Sequence, residues 1–226
     1  MMTETLDAAS TELQTRLRIT EIFHSLQGET NRVGLPTVFV RLTGCPLRCV
    51  YCDTAYAFEG GTPRTVAEIL TEVSRHGTRY VTVTGGEPLA QQGCLVLLRQ
   101  LCDHGYDVSL ETGGALDVAQ VDSRVVKVLD LKTPGSGETE RNRYENLRYL
   151  RARDQVKFVI VDRADYEWAK GKLAELRLAD RCEVLFSPAY EQLPAVELAE
   201  WILADRLAVR FQTQLHKCLW GNVPGR

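Results

Sequence analysis

Residues 44–53 read Gly-Cys-Pro-Leu-Arg-Cys-Val-Tyr-Cys-Asp and place three cysteines, Cys45, Cys49 and Cys52, in one short turn. Three thiolates can bind three irons of a four-iron, four-sulfur cube and leave the fourth iron without a protein ligand. Ordinary ferredoxin clusters take four cysteines. An iron with an open coordination position can bind a substrate or a cosubstrate. The turn therefore indicates a cluster that takes part in chemistry.

Two simpler interpretations of the turn are a structural zinc site and surface thiols that lie together by chance. A structural zinc site takes four ligands, usually from two paired knuckles, and the sequence has no second Cys-x-x-Cys pair. The other four cysteines, Cys94, Cys102, Cys182 and Cys218, are scattered singly. We expect them to pack as small apolar residues.

Composition limits the class of protein. The chain has 226 residues, of which 44% are hydrophobic, and this suits one α/β domain with a sizeable core. Its net charge of −3 argues against a nucleic-acid partner, so a small-molecule substrate is expected. No apolar run is long enough to cross a membrane, and residues 1–17 lack the apolar stretch of a signal peptide. Clustered cysteines then predict a reducing, cytoplasmic location.

The chain alternates between strand and helix patterns after a polar N-terminal tail, residues 1–16. We predict a single domain over residues 17–226. The strand candidates are residues 38–42, 80–84, 107–110, 125–129, 156–160, 183–186 and 208–211. The helix candidates are residues 65–76, 95–101, 166–176 and 198–207, the first with a capping box from Thr65 and Glu68. This order predicts a parallel sheet that closes into a partial, open (β/α)6 barrel of the TIM-like type.

Chemically suggestive loops follow four of the predicted strands. The cysteine turn follows the first strand, and Gly85-Gly86-Glu87-Pro88 follows the second. Glu111-Thr112-Gly113-Gly114 and Asp130-Leu131-Lys132 follow the next two. Ligands of such sheets bind beyond the carboxyl ends of the strands, so these loops are expected to form one site.

The spacing Cys-x-x-x-Cys-x-x-Cys, with the aromatic Tyr51 before the last cysteine, resembles the radical S-adenosylmethionine superfamily. The resemblance implies that the amino and carboxylate groups of S-adenosylmethionine bind the open iron. One electron from the cluster would then release a 5′-deoxyadenosyl radical, which takes a hydrogen atom from the substrate. The Gly85-Gly86-Glu87 turn resembles the element of the superfamily that receives the methionine amino group. We expect Glu87 to fix or cap that loop.

Four segments resemble one family of this superfamily, the 7-carboxy-7-deazaguanine synthases: residues 21–29, 38–45, 52–54 and 214–217. The resemblance covers nearly everything after residue 18. It implies a lyase that converts 6-carboxy-5,6,7,8-tetrahydropterin to 7-carboxy-7-deazaguanine, with loss of ammonia, in queuosine biosynthesis and hence tRNA modification. It also implies a magnesium ion, a homodimer and an electron donor such as flavodoxin or ferredoxin.

The resemblance further implies three sets of site residues. The cluster ligands, which are also the catalytic residues, are Cys45, Cys49 and Cys52, and the magnesium ligand is Thr54. The cofactor-binding residues are Tyr51, Cys52, Asp53, Gly86, Asp130, Leu131 and Lys132. The substrate-binding residues are Leu26, Gln27, Gly28, Glu29, Arg41 and Thr84.

Physical chemistry supports two of these roles. A carboxylate such as Glu29, together with neighbouring backbone groups, suits the guanidine-like edge of a pterin. Arg41 lies on a strand among apolar neighbours, where an unpaired guanidinium is costly. Its partner is either a bound carboxylate or a structural salt bridge.

The chain departs from the family pattern at three places. The family often reads Ser-Pro-Lys where this chain has Asp130-Leu131-Lys132, so the lysine is the residue that matches. Ser187-Pro188 stands where a Gln-Pro segment is usual, and residues 220–226 extend past the His-Lys segment. Two other functions stay open at this point. One is a radical activase that makes a glycyl radical on a partner enzyme, and the other is a metal-stabilised binding module.

Overall fold

The computed structural model describes residues 11–225. Most of the predicted N-terminal tail, residues 1–10, lies outside the described residues. The rest of that tail contacts the domain, because the carboxylate of Glu12 accepts hydrogen bonds from Arg99 and Gln100. The first strand begins at Arg16.

The described residues form one nine-stranded sheet in the order β3-β1-β2-β4-β5-β6-β7-β8-β9. β1 pairs antiparallel with both of its neighbours, β2 and β3, and every other neighbouring pair, from β2–β4 to β8–β9, is parallel. Their bounds are Arg16–Leu26 (β1), Pro36–Leu42 (β2), Thr62–Thr65 (β3), Tyr80–Gly85 (β4), Asp107–Thr112 (β5), Val126–Asp130 (β6), Gln155–Ile160 (β7), Glu183–Pro188 (β8) and Arg210–Phe211 (β9). The seven predicted strands and the partial barrel are confirmed.

Strands β1 and β3 were not predicted. β3 contains Pro63, which normally argues against a strand because it cannot donate a backbone hydrogen bond. The proline is tolerated here because β3 forms the edge of the sheet and pairs only with β1.

The helices pack outside the sheet, and none within residues 11–225 has the length and apolar character needed to span a bilayer. Their bounds are Val66–Ser74 (α1), Gly93–Asp103 (α2), Arg163–Glu175 (α3), Ala195–Asp205 (α4) and Leu215–Trp220 (α5). The first four match the predicted helices. The connection from β5 to β6 has no α-helix, and that from β6 to β7 holds three short 3₁₀ turns. Gly113-Gly114 interrupts the first of these connections, and Pro134-Gly135 interrupts the second.

Side chains alternate between the hydrophobic core and the inside of the barrel. Val38, Val40 and Leu42 of β2 belong to the core under the helices. Phe39 and Arg41, which lie between them, line a cavity on the opposite face. Because successive side chains of a strand point to opposite faces, each strand can fill the core and equip the barrel interior at the same time.

Helix α1 begins with the predicted capping box. The Thr65 hydroxyl accepts a hydrogen bond from the Glu68 N–H at 3.2 Å, and the Glu68 carboxylate accepts one from the Thr65 N–H at 2.7 Å. We predict that Thr65→Ala lowers the free energy of unfolding by about 1 kcal/mol, because the Glu68 N–H loses the side-chain oxygen that accepts its hydrogen bond. Urea denaturation measures this. Thr71→Ala, at an exposed position of the same helix, is the control and should change stability much less. Equal effects of both substitutions would contradict the capping role.

Candidate functional site

The cysteine turn lies in the loop after β2, at the carboxyl end of the barrel. Cys45, Cys49 and Cys52 all line one open cavity with an empty volume of about 940 Å³, here called the cysteine cavity. Each thiolate of an iron–sulfur cube binds a different iron, so cysteines spread around a cavity wall fit such a cluster. Within residues 11–225, no three His, Cys, Asp or Glu side chains come together as ligands of a metal ion would.

Burial controls the protonation of these thiols. It raises the pKa of all three, and that of Cys49 to about 11, while the ammonium group of Lys132 opposes the rise only in part. The Cys45 sulfur accepts a hydrogen bond from the Leu47 N–H at 3.4 Å. Because the thiolate is the form that binds iron, cluster binding must displace the thiol protons. The lysine and the N–H donor stabilise the charged form of the sulfurs.

The glycine turn after β4 lies directly against the cysteine turn. A Cβ atom added at Gly86 would lie 2.4 Å from the Gly44 carbonyl oxygen and 2.7 Å from the Cys45 Cβ. The next residue, Glu87, donates its N–H to the same Gly44 oxygen at 2.8 Å. The two loops can therefore approach this closely only if residue 86 has no side chain.

Glu87 fixes these loops, as expected from the sequence. Its buried carboxylate accepts hydrogen bonds from the N–H groups of Leu89 and Gly113 and from the hydroxyl of Thr112. Burial raises the pKa of Glu87, and these hydrogen bonds oppose the rise. The side chain joins the loops after β4 and β5, so it contributes to the shape of the cavity and does not line it.

The loop after β6 contributes charged groups to the cysteine cavity. Asp130, Lys132 and Tyr51 line it. The Lys132 ammonium lies 3.0 Å from Asp130 Oδ2 and 6.0 Å from the centre of the Tyr51 ring. Leu131 differs from the other predicted cofactor contacts, because its side chain is buried in the hydrophobic core. Any contact of Leu131 with a cofactor would have to be made by its backbone.

A second cavity adjoins the first, with an empty volume of about 750 Å³, here called the polar cavity. Phe23 and Phe39 form one of its walls, with stacked rings 4.9 Å apart and nearly parallel. Several side chains line both cavities: Glu29, Asp53, Thr54, Thr84, Glu111, Lys157 and Gln214. Leu26, Gln27, Gly28, Arg41 and His216 line the polar cavity alone.

Gln27 braces the wall of the polar cavity. Its side chain is buried and donates hydrogen bonds to Thr82 Oγ1 at 3.1 Å and to Glu111 Oε1 at 3.3 Å. Its amide oxygen accepts the Glu29 N–H at 3.1 Å. Gln27 thus fixes two carboxylate-bearing residues, Glu29 and Glu111, which both line the polar cavity.

Arg41 forms a salt bridge and also lines the polar cavity. Its Nε lies 2.7 Å from Glu21 Oε1, across the antiparallel pair β1–β2. The Tyr56 hydroxyl donates to the same oxygen at 2.8 Å. Glu21 engages Nε, so this salt bridge does not use the two terminal nitrogens of the guanidinium. The two partners proposed from the sequence are therefore compatible with each other.

The C-terminal helix closes the cavities from the side. Lys217 Nζ lies 2.7 Å from Asp53 Oδ2, and the Thr54 hydroxyl donates to Asp53 Oδ1 at 2.8 Å. Burial raises the pKa of Asp53, but the hydrogen bond and charge of Lys217 outweigh it and hold that pKa well below its usual range. His216 packs so closely on Gly28 that a Cβ there would lie 2.0 Å from its Nδ1.

Comparison with known proteins identifies the family. The radical SAM superfamily model matches residues 39–131. A 7-carboxy-7-deazaguanine synthase from Chlorobaculum tepidum is 47% identical over 207 residues, which cover 90% of this chain and 94% of the relative. One from Koribacter versatilis is 42% identical and covers 90% of this chain and 97% of the relative. The chain belongs to the 7-carboxy-7-deazaguanine synthase family.

Solved structures agree with the fold expected of this family. The crystal structure of QueE from Escherichia coli has a TM-score of 0.74 and 23% identity, and the match covers 91% of this chain and 97% of that one. Streptococcus suis SuiB bound to S-adenosylmethionine has a TM-score of 0.57 and 16% identity, over 76% of this chain and 48% of that one. At sequence identities of 23% and 16%, the structural likeness shows a common fold and nothing more specific.

Three residues that shape the site were not among the predicted site residues, namely Phe23, Lys157 and Lys217, and Glu111 was expected at the site only as the first residue of a loop. Glu111 and Lys157 each alternate with core residues along a strand, at positions where the side chain points into the barrel. That alternation could have identified them. Phe23 and Lys217 lie within segments that resemble the family, but nothing in the sequence shows that they face a cavity.

The contact between the glycine and cysteine turns leads to a prediction. Gly86→Ala should reduce the iron and sulfide bound per chain severalfold, because its Cβ would push Gly44 and Cys45 out of place. Iron and sulfide analysis after anaerobic reconstitution measures the effect, and circular dichroism checks the fold. Gly171→Ala is the matched control, since α3 has open space around that position. Full cluster content in Gly86→Ala would disprove the spatial argument.

Proposed function

We propose that this protein converts 6-carboxy-5,6,7,8-tetrahydropterin to 7-carboxy-7-deazaguanine with release of ammonia, as a radical S-adenosylmethionine lyase of queuosine biosynthesis. The observation that carries the proposal is the pair of adjoining cavities, one lined by the three cysteines and the other polar with an aromatic wall. Glu29, Thr84 and Glu111 line both. A radical must form beside the C–H bond that it attacks, and two cavities with a common wall meet this requirement.

The residues of the cysteine cavity fit the cofactors of the superfamily. When bound, a four-iron, four-sulfur cluster and S-adenosylmethionine supply the radical chemistry that starts the reaction at C6 of the pterin. Cys45, Cys49 and Cys52 would hold the cluster. Gly86 allows the loop after β4 to pack directly on the cysteine turn, and Lys132 and Asp130 offer a cation and a carboxylate to the polar groups of S-adenosylmethionine.

The polar cavity fits a flat, polar ring that carries a carboxylate. Phe23 and Phe39 offer an apolar, aromatic wall to the ring. The carboxylates of Glu29 and Glu111 can accept hydrogen bonds from the N–H groups of its guanidine-like edge. The terminal nitrogens of Arg41 can hold the ring carboxylate in a bidentate geometry. We assign Thr84, whose hydroxyl donates to Glu111 Oε2 at 3.2 Å, to the same substrate contacts.

Magnesium, the redox partner and the oligomeric state are further parts of the proposal. Magnesium prefers oxygen ligands and keeps much of its water, so the Thr54 hydroxyl in the common wall suits it. Asp53 supports that position and holds Lys217. Flavodoxin or ferredoxin would deliver the electron to a homodimer. No disulfide joins the seven cysteines, all of which lie within residues 11–225.

The alternatives lack the same support. A glycyl-radical activase must admit a protein segment to the cluster, whereas the polar cavity has the size and the paired charges of a small-molecule site. A metal-stabilised binding module does not need a second cavity with an aromatic wall, such as the polar cavity, beside its metal site. Both alternatives also leave the charged wall of Glu29, Glu111 and Lys157 without a ligand.

Anaerobic reconstitution tests the function directly. The reduced protein, supplied with S-adenosylmethionine, magnesium and carboxytetrahydropterin, should form 7-carboxy-7-deazaguanine and ammonia, detected by mass spectrometry. Cys49→Ser should lose cluster and product but stay folded, because it removes one of three cluster ligands. Cys218→Ser, at an exposed cysteine outside both cavities, should keep both. No cluster, or no ring-contracted product, from the wild type would refute the proposal.

Arg41 provides a test of substrate recognition. Arg41→Ala should raise the KM for carboxytetrahydropterin roughly 10- to 100-fold, because a charge-assisted contact to the carboxylate is lost. The dissociation constant of S-adenosylmethionine should stay nearly unchanged. Arg210→Ala is the matched control, since Arg210 Nε makes an equivalent 2.7 Å contact to Glu183 outside both cavities. Substrate dependence that is unaltered in Arg41→Ala would exclude the assigned role.

A further inference from the structure

Lys157 is a cation of the wall between the two cavities. It lies on β7 next to Asp130 of β6, in the parallel register of the two strands. Its neighbours Val156 and Phe158 are buried in the core, so the strand directs the Lys157 side chain into the barrel. There the side chain, which is only 12% exposed, lines both the cysteine cavity and the polar cavity.

Carboxylates of both cavities surround the Lys157 ammonium. Its Nζ lies 3.0 Å from Oε2 of Glu29, which lines both cavities, and 3.6 Å from Oδ2 of Asp130, which lines the cysteine cavity. Burial lowers the pKa of Lys157, but the charges of Glu29, Asp130 and Glu111 outweigh it and hold the pKa well above its ordinary value. The side chain therefore stays charged throughout the physiological range.

Asp130 is only partly satisfied by these contacts. Its Oδ2 lies near Lys157 and 3.0 Å from Lys132 Nζ. Its other oxygen, Oδ1, is buried and has no hydrogen-bond partner among residues 11–225. A buried carboxylate oxygen of this kind is a ready acceptor for a hydroxyl or ammonium group of a ligand.

Removal of the shared ammonium would affect both cavities together. Glu29 and Asp130 would each lose a cation from a partly buried site, and their negative charges would act on each other and on Glu111 with less compensation. Breaking a buried ion pair from one side is strongly unfavourable, because the remaining charge is left unpaired. The carboxylates would then move toward solvent or take up protons, and either change would spoil their alignment with a ligand.

We propose that Lys157 is a positioning residue that holds Glu29 for the pterin and Asp130 for S-adenosylmethionine. Binding of both ligands then depends on one ammonium group. The inference rests on the proposed function, and it adds a residue that acts through its neighbours and not by contact with the reacting atoms.

Binding to the reconstituted, unreduced full chain tests the inference without turnover. The dissociation constants of S-adenosylmethionine and of the oxidised, unreactive 6-carboxypterin are measured separately by calorimetry. Lys157→Met should weaken each by about tenfold or more, equivalent to about 1.4 kcal/mol. Arg41→Ala should weaken 6-carboxypterin alone. Lys157→Arg keeps the charge and should recover most of the affinity for both ligands.

A second buried lysine provides the matched control. Lys127 on β6 forms a 3.0 Å ion pair with Asp154 and lies outside both cavities. Lys127→Met should reduce thermal stability but leave both dissociation constants unchanged. If Lys157→Met does not fold by circular dichroism, Lys157→Gln takes its place with the same expectation.

The outcomes separate the inference from the function on which it rests. Loss of affinity for one ligand only, or for neither, would overturn the shared role of Lys157. Equal losses in the Lys127 variant would also overturn it, because they would show a general effect of destabilisation. Failure of the wild type to bind 6-carboxypterin or to form product would instead refute the proposed function.

Discussion

The close backbone contact between Gly86 and the Gly44–Cys45 peptide is the constraint on which the site depends. Without a side chain at residue 86, the loop after β4 can pack on the cysteine turn, and the N–H of Glu87 then binds the Gly44 oxygen. The Glu87 carboxylate extends this arrangement to the loop after β5 through Gly113 and Thr112. A buried carboxylate is costly unless its lone pairs are used, and here three donor groups use them. One glycine and one glutamate thus fix three consecutive loops at the carboxyl end of the sheet.

Other site residues lie on the strands, whose successive side chains alternate between the hydrophobic core and the inside of the barrel. In β4, Val81 and Val83 are buried in the core, and Thr84 lines both cavities on the other face. The same two-residue period places Glu111 beside Thr84 and Lys157 beside Asp130 on neighbouring strands. Parallel strands share one direction, so their polar inner residues reach the same end of the barrel. Core formation and site formation therefore use the same pattern of side chains.

The sequence predicted features with a strong local signal and missed those that depend on partners far along the chain. β-Branched runs identified the parallel strands, and Thr65 with Glu68 identified the start of α1. Pro63 concealed β3, because a sequence does not show which strand will be at an edge. The family motif indicated Gln27, but its amide is engaged with Thr82, Glu111 and Glu29, residues that only the folded barrel brings together. Lys217 was missed for the same reason, since its partner Asp53 is 164 residues earlier.

The order of charges across the sheet fits the proposed recognition of both ends of a flat ring in the polar cavity. Arg41, Thr84 and Glu111 lie side by side on β2, β4 and β5, with a cation at one side and a carboxylate at the other. Two interstrand spacings separate them by ~10 Å, a span suited to a bicyclic ring with a carboxylate at one end and a guanidine-like edge at the other. Arg41 is paired with Glu21 across β1–β2, and Glu29 of the same cavity is paired with Lys157. Under the proposed function, this separation of charge across the strands would orient the ring relative to the three cysteines.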